Sequence, residues 1–297
     1  MRIVERVIRV YMRNGLSGLL VALTRQLSPV RAAMLPVVRS RIVGGRGLEI
    51  GGPSQIFSSR GELPIYPLIQ RLDNCNFSHV TLWEGELEMG PTFRYDKRRS
   101  PGQQHILDAS NLATIPDDNY DFILSSHVLE HCANPLKVLQ EWARVLTDTG
   151  FLLIILPHKE GTFDHRRPVT KLSHILEDYE LDVGEDDETH FEGISSLHDL
   201  DRDPEAGELE SFLARMRRNA FERGVHHHVF DTEAALALVD CADFQIHAVE
   251  PMLPFHIICL AQRLPAGSVK DNSAFLGDCA TWRKQSPFQA DRIGYSV

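Results

Sequence analysis

The segment FLLIILP, residues 151–157, constrains the fold most strongly, because almost every position in it is apolar. A strand with one face in water alternates apolar and polar residues, so an unbroken apolar run is typical of a strand covered on both faces. A second such strand is predicted at 120–126 (YDFILSS), and a helix between them at 134–147, with Asn134 as its cap and Pro135 as its first residue. Buried strands that alternate with helices predict an α/β fold built on a parallel sheet.

Residues 46–263 continue this rhythm of strand, turn and helix, with one interruption at 159–228, which is polar, acidic and rich in histidine. The other predicted elements are strands at 48–50, 80–83, 244–250 and 256–263 and helices at 65–72 and 232–241. Residues 264–297 lack periodicity, and we expect this C-terminal tail to be loosely ordered or to wrap the surface. The sequence thus predicts one main domain with an insert and a tail.

The net charge of −10 is unevenly distributed along the chain. Residues 1–46 contain nine arginines and a single acidic residue, whereas 177–210 contain fifteen aspartates and glutamates. Residues 2–25 show helical spacing of apolar residues between arginines, so we predict that 1–45 form a basic amphipathic helical extension. Such a helix suits either peripheral contact of residues 1–40 with an anionic membrane or packing against its own domain or a second subunit.

The acidic stretch 177–210 suits a mobile lid, a surface for a basic substrate, or a solvated connection with short helices; the last is the plainest interpretation. It disfavours nucleic acid as a substrate, because it would repel phosphates. No apolar run reaches membrane-spanning length, and no secretory signal is recognisable. Five scattered cysteines form no C-x-x-C pair, which indicates reduced thiols in a cytoplasmic protein, peripheral to a membrane if the N-terminal helix binds one.

The segment LEIGGPS, 48–54, places two glycines directly after the first predicted strand. Ligands of open parallel sheets bind beyond the carboxyl ends of the strands, and glycine lets a ligand approach the backbone closely. Together with LDASNLATIPDDNYDFILSSHVLEH and WARVLTDTGFLLIILPHK, this segment resembles the class I S-adenosylmethionine-dependent methyltransferases. The resemblance covers about residues 46–160. More narrowly, the chain resembles the branch of this family that has VLEH after the fourth strand. The loop lacks the G-x-G-x-x-G spacing of nicotinamide-dependent dehydrogenases.

The resemblance implies a Rossmann-like, mostly parallel seven-stranded sheet with helices on both faces, the acidic insert after the fifth strand, and S-adenosylmethionine as cofactor. It places the methionine part of the cofactor against the loop of the first strand, the ribose against an acid after the second strand, and the adenine after the third. The cofactor-binding residues that it implies here are Glu49, Gly51, Gly52, Glu84, Asp108, Ala109, Ser125 and His127. Pro53 and Ser54 stand where the family usually has a third glycine.

Two histidines are candidate catalytic residues, His127 at the end of the fourth strand and His158 at the end of the fifth. Imidazole can accept a proton from a hydroxyl or amine during methyl transfer. His127 suits either a base or a substrate contact, whereas His131 is better explained as structural.

The loop 157–170 follows the fifth strand, where this family selects its substrates. The substrate-binding residues predicted there are His158, Asp164, His165, Arg166 and Arg167, with His228 added from beyond the insert. Paired arginines suit a carboxylate or phosphate. Equally, Asp164 can pair with Arg166 or Arg167 to fix the loop, with Thr170 capping the next helix.

We predict no metal site, because consecutive histidines on a strand cannot all face one ion, although His226 and His228 could share a face. The predicted function is methyl transfer from S-adenosylmethionine to an oxygen or nitrogen of a small molecule or sugar, in surface-glycan or other specialised biosynthesis. The alternative is a non-catalytic cofactor-binding scaffold or a membrane-associated interaction protein. The sequence carries no prediction of the oligomeric state.

Overall fold

The computed structural model describes residues 30–292, so the amphipathic helix predicted at 2–25 lies outside the described residues. The strands within this range are β1 (Arg46–Ile50), β2 (Arg71–Asn76), β3 (Val80–Thr81), β4 (Gly85–Glu86), β5 (Gly90–Phe93), β6 (Gly102–Ile106), β7 (Tyr120–Ser126), β8 (Leu146–Pro157), β9 (Phe244–Met252) and β10 (His256–Arg263). The α-helices are α1 (Leu35–Ile42), α2 (Pro135–Val145), α3 (Leu172–Glu180), α4 (Phe191–Leu197), α5 (Leu209–Met216), α6 (Asn219–Glu222), α7 (Thr232–Cys241), α8 (Ser273–Leu276) and α9 (Thr281–Gln285).

The main sheet has the strand order β5-β6-β2-β1-β7-β8-β10-β9. The strands from β6 to β8 are parallel, whereas β5, β10 and β9 pair antiparallel with their neighbours. Ile50 of β1 lies opposite Cys75 of β2 and Ser125 of β7, so these strands reach the same edge of the sheet. The mostly parallel α/β prediction is confirmed, but the sheet has eight strands in the described range, because β5 extends it at one edge.

Helix α2 forms where the sequence predicts it. The side chain of Asn134 accepts a hydrogen bond from the Lys137 amide at 3.1 Å, and Pro135 occupies the first turn. Leu139 and Trp142 are fully buried against the sheet. Helix α7 begins in the same way, with the Asp231 carboxylate accepting from the Ala234 amide at 2.8 Å. These two helices cover one face of the sheet.

The opposite face is covered differently from the prediction. Among the described residues, α1 and irregular segments pack there, with Val38 and Ile42 of α1 fully buried beside Phe57. The helix predicted at 65–72 is wrong, because Tyr66–Leu68 form a single 3₁₀ turn and β2 begins at Arg71.

The predicted strand at 80–83 is also wrong as a member of the main sheet, since Val80–Thr81 belong to the small β3–β4 hairpin. The strand of the sheet is instead β2, whose sequence RLDNCN is polar although all but its first residue are buried. Its amides satisfy one another: Asn74 Nδ2 donates to Gln104 Oε1 at 2.9 Å, and Gln104 Nε2 donates to Asn76 Oδ1 at 2.9 Å. Hydrogen bonding therefore compensates the burial of these amides.

The described part of the C-terminal tail wraps the domain. Trp282 is buried and donates from Nε1 to the Phe275 carbonyl at 2.8 Å, and Asp291 is buried against Ser286. Across residues 30–292, no helix has the length and apolar character needed to cross a membrane.

Candidate active site

A cavity of about 980 Å³ lies at the carboxyl ends of the parallel strands. One wall, the sheet wall, comes from the strand ends and the β3–β4 hairpin; the other, the insert wall, comes from residues 159–228. The polar residues that line the cavity are Ser54, Gln55, Glu62, Asn76, Thr81, Glu84, Ser126, His127, Glu130, His131, Thr162, Arg202, Asp203, Glu205, Arg215, Arg223, His226 and His256. This volume is at the upper end of the range for small-molecule sites.

The two glycines after β1 have different roles. Gly51 lines the cavity with φ of +76°, and a Cβ there would lie 2.6 Å from Cγ2 of Val128. Gly52 is outside the lining, and its Cβ would lie 2.3 Å from Cδ of Glu49. The bend therefore requires glycine for packing at both positions, and only Gly51 faces the cavity.

Glu49 holds this bend together and does not line the cavity, which corrects its predicted place as a direct cofactor ligand. Its carboxylate accepts hydrogen bonds from the Ser54 amide at 3.0 Å, the Ser54 hydroxyl at 2.7 Å and the Tyr66 hydroxyl at 2.7 Å. Burial raises its pKa to about 7, and the hydrogen bonds from Ser54 and Tyr66 act against that rise.

Glu84 reaches the cavity from the hairpin, not from the end of β2. Its carboxylate accepts from the Thr81 hydroxyl at 2.5 Å, and burial raises its pKa. The end of β2 carries Asn76, which also lines the cavity. The sequence predicted a single acid after the second strand of the sheet. The structure instead has two polar groups in this region, the Asn76 amide on β2 and the Glu84 carboxylate on the hairpin.

Ala109 lines the cavity after β6 together with Leu107, but Asp108 does not. Both carboxylate oxygens of Asp108 are engaged, Oδ1 by the Ser110 amide and hydroxyl and Oδ2 by Arg223. Burial raises the pKa of Asp108, but Arg223 and Ser110 outweigh it and the pKa is lowered. As placed, Asp108 joins the sheet wall to the insert wall through Arg223.

Strand parity decides which serine of β7 faces the cavity. Ser125 is buried within the sheet, and Ser126 lines the cavity, so the prediction for Ser125 is off by one residue. His127 follows with φ of +57°, a left-handed conformation that is uncommon outside glycine. Its Nε2 lies 3.0 Å from Nδ1 of His256, and its Nδ1 lies 3.4 Å from Oε1 of Glu130.

Glu130 is a buried carboxylate at the floor of the cavity, and neither oxygen has a hydrogen-bond partner among the described residues. Burial raises its pKa, but His127, His131 and His226 outweigh this effect and the pKa is lowered. Glu130 is therefore ionised at neutral pH, with acceptor capacity that the protein leaves unused.

His226 is the second imidazole held by a carboxylate at the cavity. Its Nδ1 lies 2.5 Å from Oδ2 of Asp164, while Oδ1 of Asp164 accepts from Nη1 of Arg167 at 2.9 Å. Burial lowers the pKa of His226, but Asp164 and Glu130 outweigh it, so the pKa is raised. With Nδ1 engaged, Nε2 is the ring nitrogen left for a ligand.

Two of the predicted substrate residues of the loop 157–170, Asp164 and Arg167, form this support and do not line the cavity. Arg167 is buried and also donates to the carbonyls of His226 and His227, at 2.8 and 3.1 Å. The loop-fixing pair of Asp164 and Arg167 is confirmed. Thr170 does not cap α3, whose N-cap is Lys171; it hydrogen-bonds Val229 instead.

His165 and Arg166 contact the side chain of Asp199 at 2.8 and 3.2 Å, and neither lines the cavity. His158 is fully buried, stacks on Phe288 and lies 3.2 Å from Asp291. These placements correct the catalytic and substrate-binding roles predicted for His158 and the substrate-binding roles predicted for His165 and Arg166.

His131 lines the cavity and has Nδ1 2.9 Å from the Val225 carbonyl, which orients its ring. His228 is fully buried away from the cavity and lies near Asp178, which corrects its predicted substrate contact.

Sequence reasoning missed three features of the cavity: the free carboxylate of Glu130, the imidazole of His256 and the hairpin that carries Trp83. Glu130 belongs to the VLEH segment and directly precedes His131. The sequence alone does not show that its carboxylate is buried, and that burial is what marks it as a site residue. His256 begins a strand that was predicted correctly. Its position beside His127 depends on the antiparallel pairing of β10 with β8, which no local pattern reports.

Residues 69–154, from β2 through most of β8, match the family described as "Methyltransferase domain". The match identifies a methyltransferase domain within the chain, at residues 69–154. The protein is therefore an enzyme whose cofactor is S-adenosylmethionine. No curated protein matches the sequence.

Three solved structures illustrate the likeness of fold. A methyltransferase from Aquifex aeolicus is 12% identical with a TM-score of 0.40, covering 77% of this chain and 88% of its own. Enzymes from Mesorhizobium loti and Methanosarcina mazei are each 15% identical, with TM-scores of 0.44 and 0.42. They cover 78% and 77% of this chain and 98% of their own. At such identities and scores, the neighbours indicate nothing about the acceptor of this methyltransferase.

The cavity of this methyltransferase fits the cofactor chemically. S-adenosylmethionine carries a sulfonium and an ammonium group, and the carboxylate of Glu130, which has no hydrogen-bond partner among the described residues, offers an anionic acceptor to a positive group. The ribose hydroxyls suit Glu84, because a carboxylate only accepts hydrogen bonds. Leu107 and Ala109 offer apolar surface to the adenine ring.

Proposed function

We propose that this methyltransferase acts on an oxygen or nitrogen of a small molecule or sugar, with His226 as general base. The observation that carries the proposal is the pair formed by Asp164 and His226, 2.5 Å apart, at the insert wall of the cavity. Asp164 orients the imidazole ring of His226. It also stabilises the protonated imidazole that forms when His226 accepts a proton, which makes His226 a stronger base. A hydroxyl or amine acceptor must lose a proton when it gains a methyl group.

Each wall has a separate task in this mechanism. When bound, S-adenosylmethionine would supply a methyl group on a sulfonium sulfur, and this sulfur departs readily because it leaves as a neutral thioether. Gly51, Glu84, Ala109 and Glu130 of the sheet wall hold the cofactor, while His226 Nε2 accepts the proton of the nucleophile. Alignment of the nucleophile supplies most of the remaining rate enhancement.

His127 is the second candidate base, because Glu130 lies 3.4 Å from its Nδ1. Its Nε2 already contacts His256 at 3.0 Å, whereas the contact of His226 with Asp164 uses Nδ1 and leaves Nε2 for the acceptor. This difference favours His226 as the base and His127 as a residue that positions the acceptor.

The size and polarity of the cavity support a small hydroxylated acceptor, as in surface-glycan or specialised biosynthesis. Thr162, Asp203 and Arg215 line its insert wall, and Nε of Arg215 is buried with no hydrogen-bond partner in the described part of the chain. Such groups match the hydroxyls of a sugar. Asp203 and Glu205 on the same wall would repel the phosphates of a nucleic acid.

We also propose a cytoplasmic location, which the five free cysteines support. Peripheral membrane contact through residues 1–40 is part of the same proposal. Sedimentation with anionic liposomes tests it, and equal partitioning of the full chain and a variant lacking residues 1–40 would contradict membrane contact.

The experiment that tests the function is transfer of a labelled methyl group to a panel of sugars, nucleotide sugars, phenols and amines. His226→Ala and Asp164→Asn should each lower kcat by about 10²–10⁴-fold, as loss of general base catalysis does. Binding of S-adenosylhomocysteine should stay within about threefold, because the sheet wall is intact. The exposed His79→Ala variant is the control and should match wild type.

Two results would contradict this proposal. Wild-type turnover by His226→Ala would exclude that residue as the base. Absence of transfer to every class in the panel, by protein that binds S-adenosylhomocysteine, would exclude a small-molecule or sugar acceptor.

A further inference from the structure

We infer that His174, Asp178, His190 and His228 form a metal site that takes a divalent transition metal ion, zinc by preference. The four side chains come from α3, the residue before α4 and the segment that precedes α7. They lie outside the lining of the active-site cavity. This inference replaces the expectation, drawn from the sequence, that the protein has no metal site.

The donor atoms already converge. One donor atom from each residue lies within 4.8 Å of all the others. Nε2 of His174 is 2.8 Å from Nε2 of His190 and 3.5 Å from Oδ2 of Asp178, which is 3.7 Å from Nε2 of His228. A tetrahedral zinc ion with bonds of about 2.0–2.2 Å separates its donor atoms by about 3.3–3.6 Å. Shifts of a few tenths of an ångström would bring these pairs to that spacing.

The hydrogen bonding of the cluster is incomplete without an ion. Oδ2 of Asp178 is buried and has no hydrogen-bond partner among the described residues. Nε2 of His174 and Nε2 of His190 face each other, so one of them donates to the other. Buried polar atoms are normally satisfied, so the open oxygen of Asp178 indicates a missing positively charged partner.

His190 shows the support that metal ligands usually have. Its Nδ1 lies 3.0 Å from Oδ2 of Asp187, and that carboxylate oxygen also accepts from the Thr189 hydroxyl at 2.7 Å. A carboxylate on Nδ1 places the proton there and leaves the lone pair of Nε2 free for a metal. Asp187 therefore fixes the tautomer that binding requires.

His228 needs the same tautomer. Its Nε2 lies 3.1 Å from the Ala133 carbonyl and its Nδ1 has no hydrogen-bond partner within residues 30–292, so this arrangement favours a proton on Nε2. Metal binding moves that proton to Nδ1 and gives up the carbonyl contact. The side chain is fully buried, which limits its movement to a small shift of the ring.

The donor set selects the ion. Three imidazoles and one carboxylate suit zinc and its neighbours, whereas magnesium and calcium prefer oxygen ligands alone. Four protein ligands leave no open position, which is typical of a structural site. The ion would tie α3 to the segment 226–228, and this segment also places His226 in the cavity.

His226 itself belongs to a different cluster, with Glu130 and His131. His226 and His228 therefore do not share an ion, although the sequence allowed them to share a face. A third group, Asp187, His190 and His227, overlaps the proposed site at His190, so the test must separate three clusters.

The direct test is zinc titration of full-length, tag-free protein after chelator treatment, followed by calorimetry. Wild type and His79→Ala should bind one equivalent. His174→Ala and Asp178→Asn should bind at least 100-fold more weakly, and Asp187→Asn about 10–100-fold more weakly with unchanged stoichiometry. Zinc should raise the Tm of wild type and leave that of Asp178→Asn unchanged.

Absence of zinc binding by wild type would overturn the inference. Wild-type affinity in both His174→Ala and Asp178→Asn would also overturn it, since the ion would then bind elsewhere. If these variants fail to fold, Co²⁺ absorption of wild type decides. Strong visible bands of a tetrahedral ion support the site, and the weak bands of an octahedral ion contradict it.

Discussion

The two walls of the cavity are stabilised by different interactions. The sheet wall is positioned by backbone hydrogen bonds, with β1 paired to β2 on one side and β7 on the other. The insert wall has only a small apolar cluster, formed by Ile194, Ala206, Phe212, Met216 and Val225. Its geometry depends on charged pairs, such as Asp164 with Arg167 and Glu185 with Arg223. The geometry of the insert wall should therefore depend more strongly on bound ions than the geometry of the sheet wall does.

Arg223 offers the largest expected effect on stability, because it connects the two walls. Its guanidinium pairs with Asp108 of the sheet wall and, at 3.3 Å, with Glu185 of the insert. Arg223→Gln would leave two carboxylates without their cation and should lower the free energy of unfolding by about 3 kcal/mol. Urea denaturation measures this change.

Arg218→Gln is the matched control, since that arginine forms an exposed pair with Glu222. An exposed pair contributes about 0–1 kcal/mol. Equal destabilisation by the two variants would show that the walls are not joined through Arg223.

Glu49 gives the sheet wall one pH-sensitive element. Burial raises its pKa from an ordinary value of 4.5 to about 7, so between these values the folded state binds the proton more tightly than the unfolded state. Stability should therefore fall as pH rises through this window, by up to about 3 kcal/mol from this group. Glu49→Gln should remove that part of the slope, as measured by urea denaturation at pH 5, 6, 7 and 8.

Glu86→Gln, at an exposed position in the hairpin, should retain the wild-type slope. A Glu49→Gln curve parallel to that of wild type would contradict the raised pKa of Glu49.

Two glycines test how tightly each wall is packed. A Cβ at Gly52 would meet the Glu49 carboxyl at 2.3 Å, whereas a Cβ at Gly193 in α4 would have no atom of the described residues within 4 Å beyond its own helix and chain neighbours. Gly52→Ala should cost about 1–3 kcal/mol by overpacking. Gly193→Ala should be neutral or stabilising by up to about 1 kcal/mol, because alanine favours the helix. Thermal unfolding of both variants compares them, and a stable Gly52→Ala protein would exclude the close packing at the bend.

The sequence predicted the sheet wall better than the insert wall, for physical reasons. Apolar strands such as 151–157 and the capped helix α2 follow from local patterns. Strand β2 was not predicted because its sequence is polar. Its buried amides form hydrogen bonds with one another across strands, and hydropathy does not detect such pairing. The placement of Ser125 at the cofactor is wrong because the sequence does not fix which face of strand β7 each serine occupies.

The insert wall depends on contacts between residues distant in sequence. Asp164 and His226 are 62 positions apart, and only the fold brings them together. The predicted pair of Asp164 with Arg167 was accessible because it spans three residues. The histidine cluster around Asp178 combines three chain segments, so spacing alone could not predict it.

Calorimetric titration with S-adenosylhomocysteine, with NAD as the control ligand, tests the central claim that the strand-end cavity binds the cofactor. We predict one site of micromolar affinity for S-adenosylhomocysteine, no binding of NAD, and loss of binding in Ala109→Trp, which fills the apolar surface after β6. Binding of NAD alone, or undiminished binding of S-adenosylhomocysteine by folded Ala109→Trp, would contradict the account.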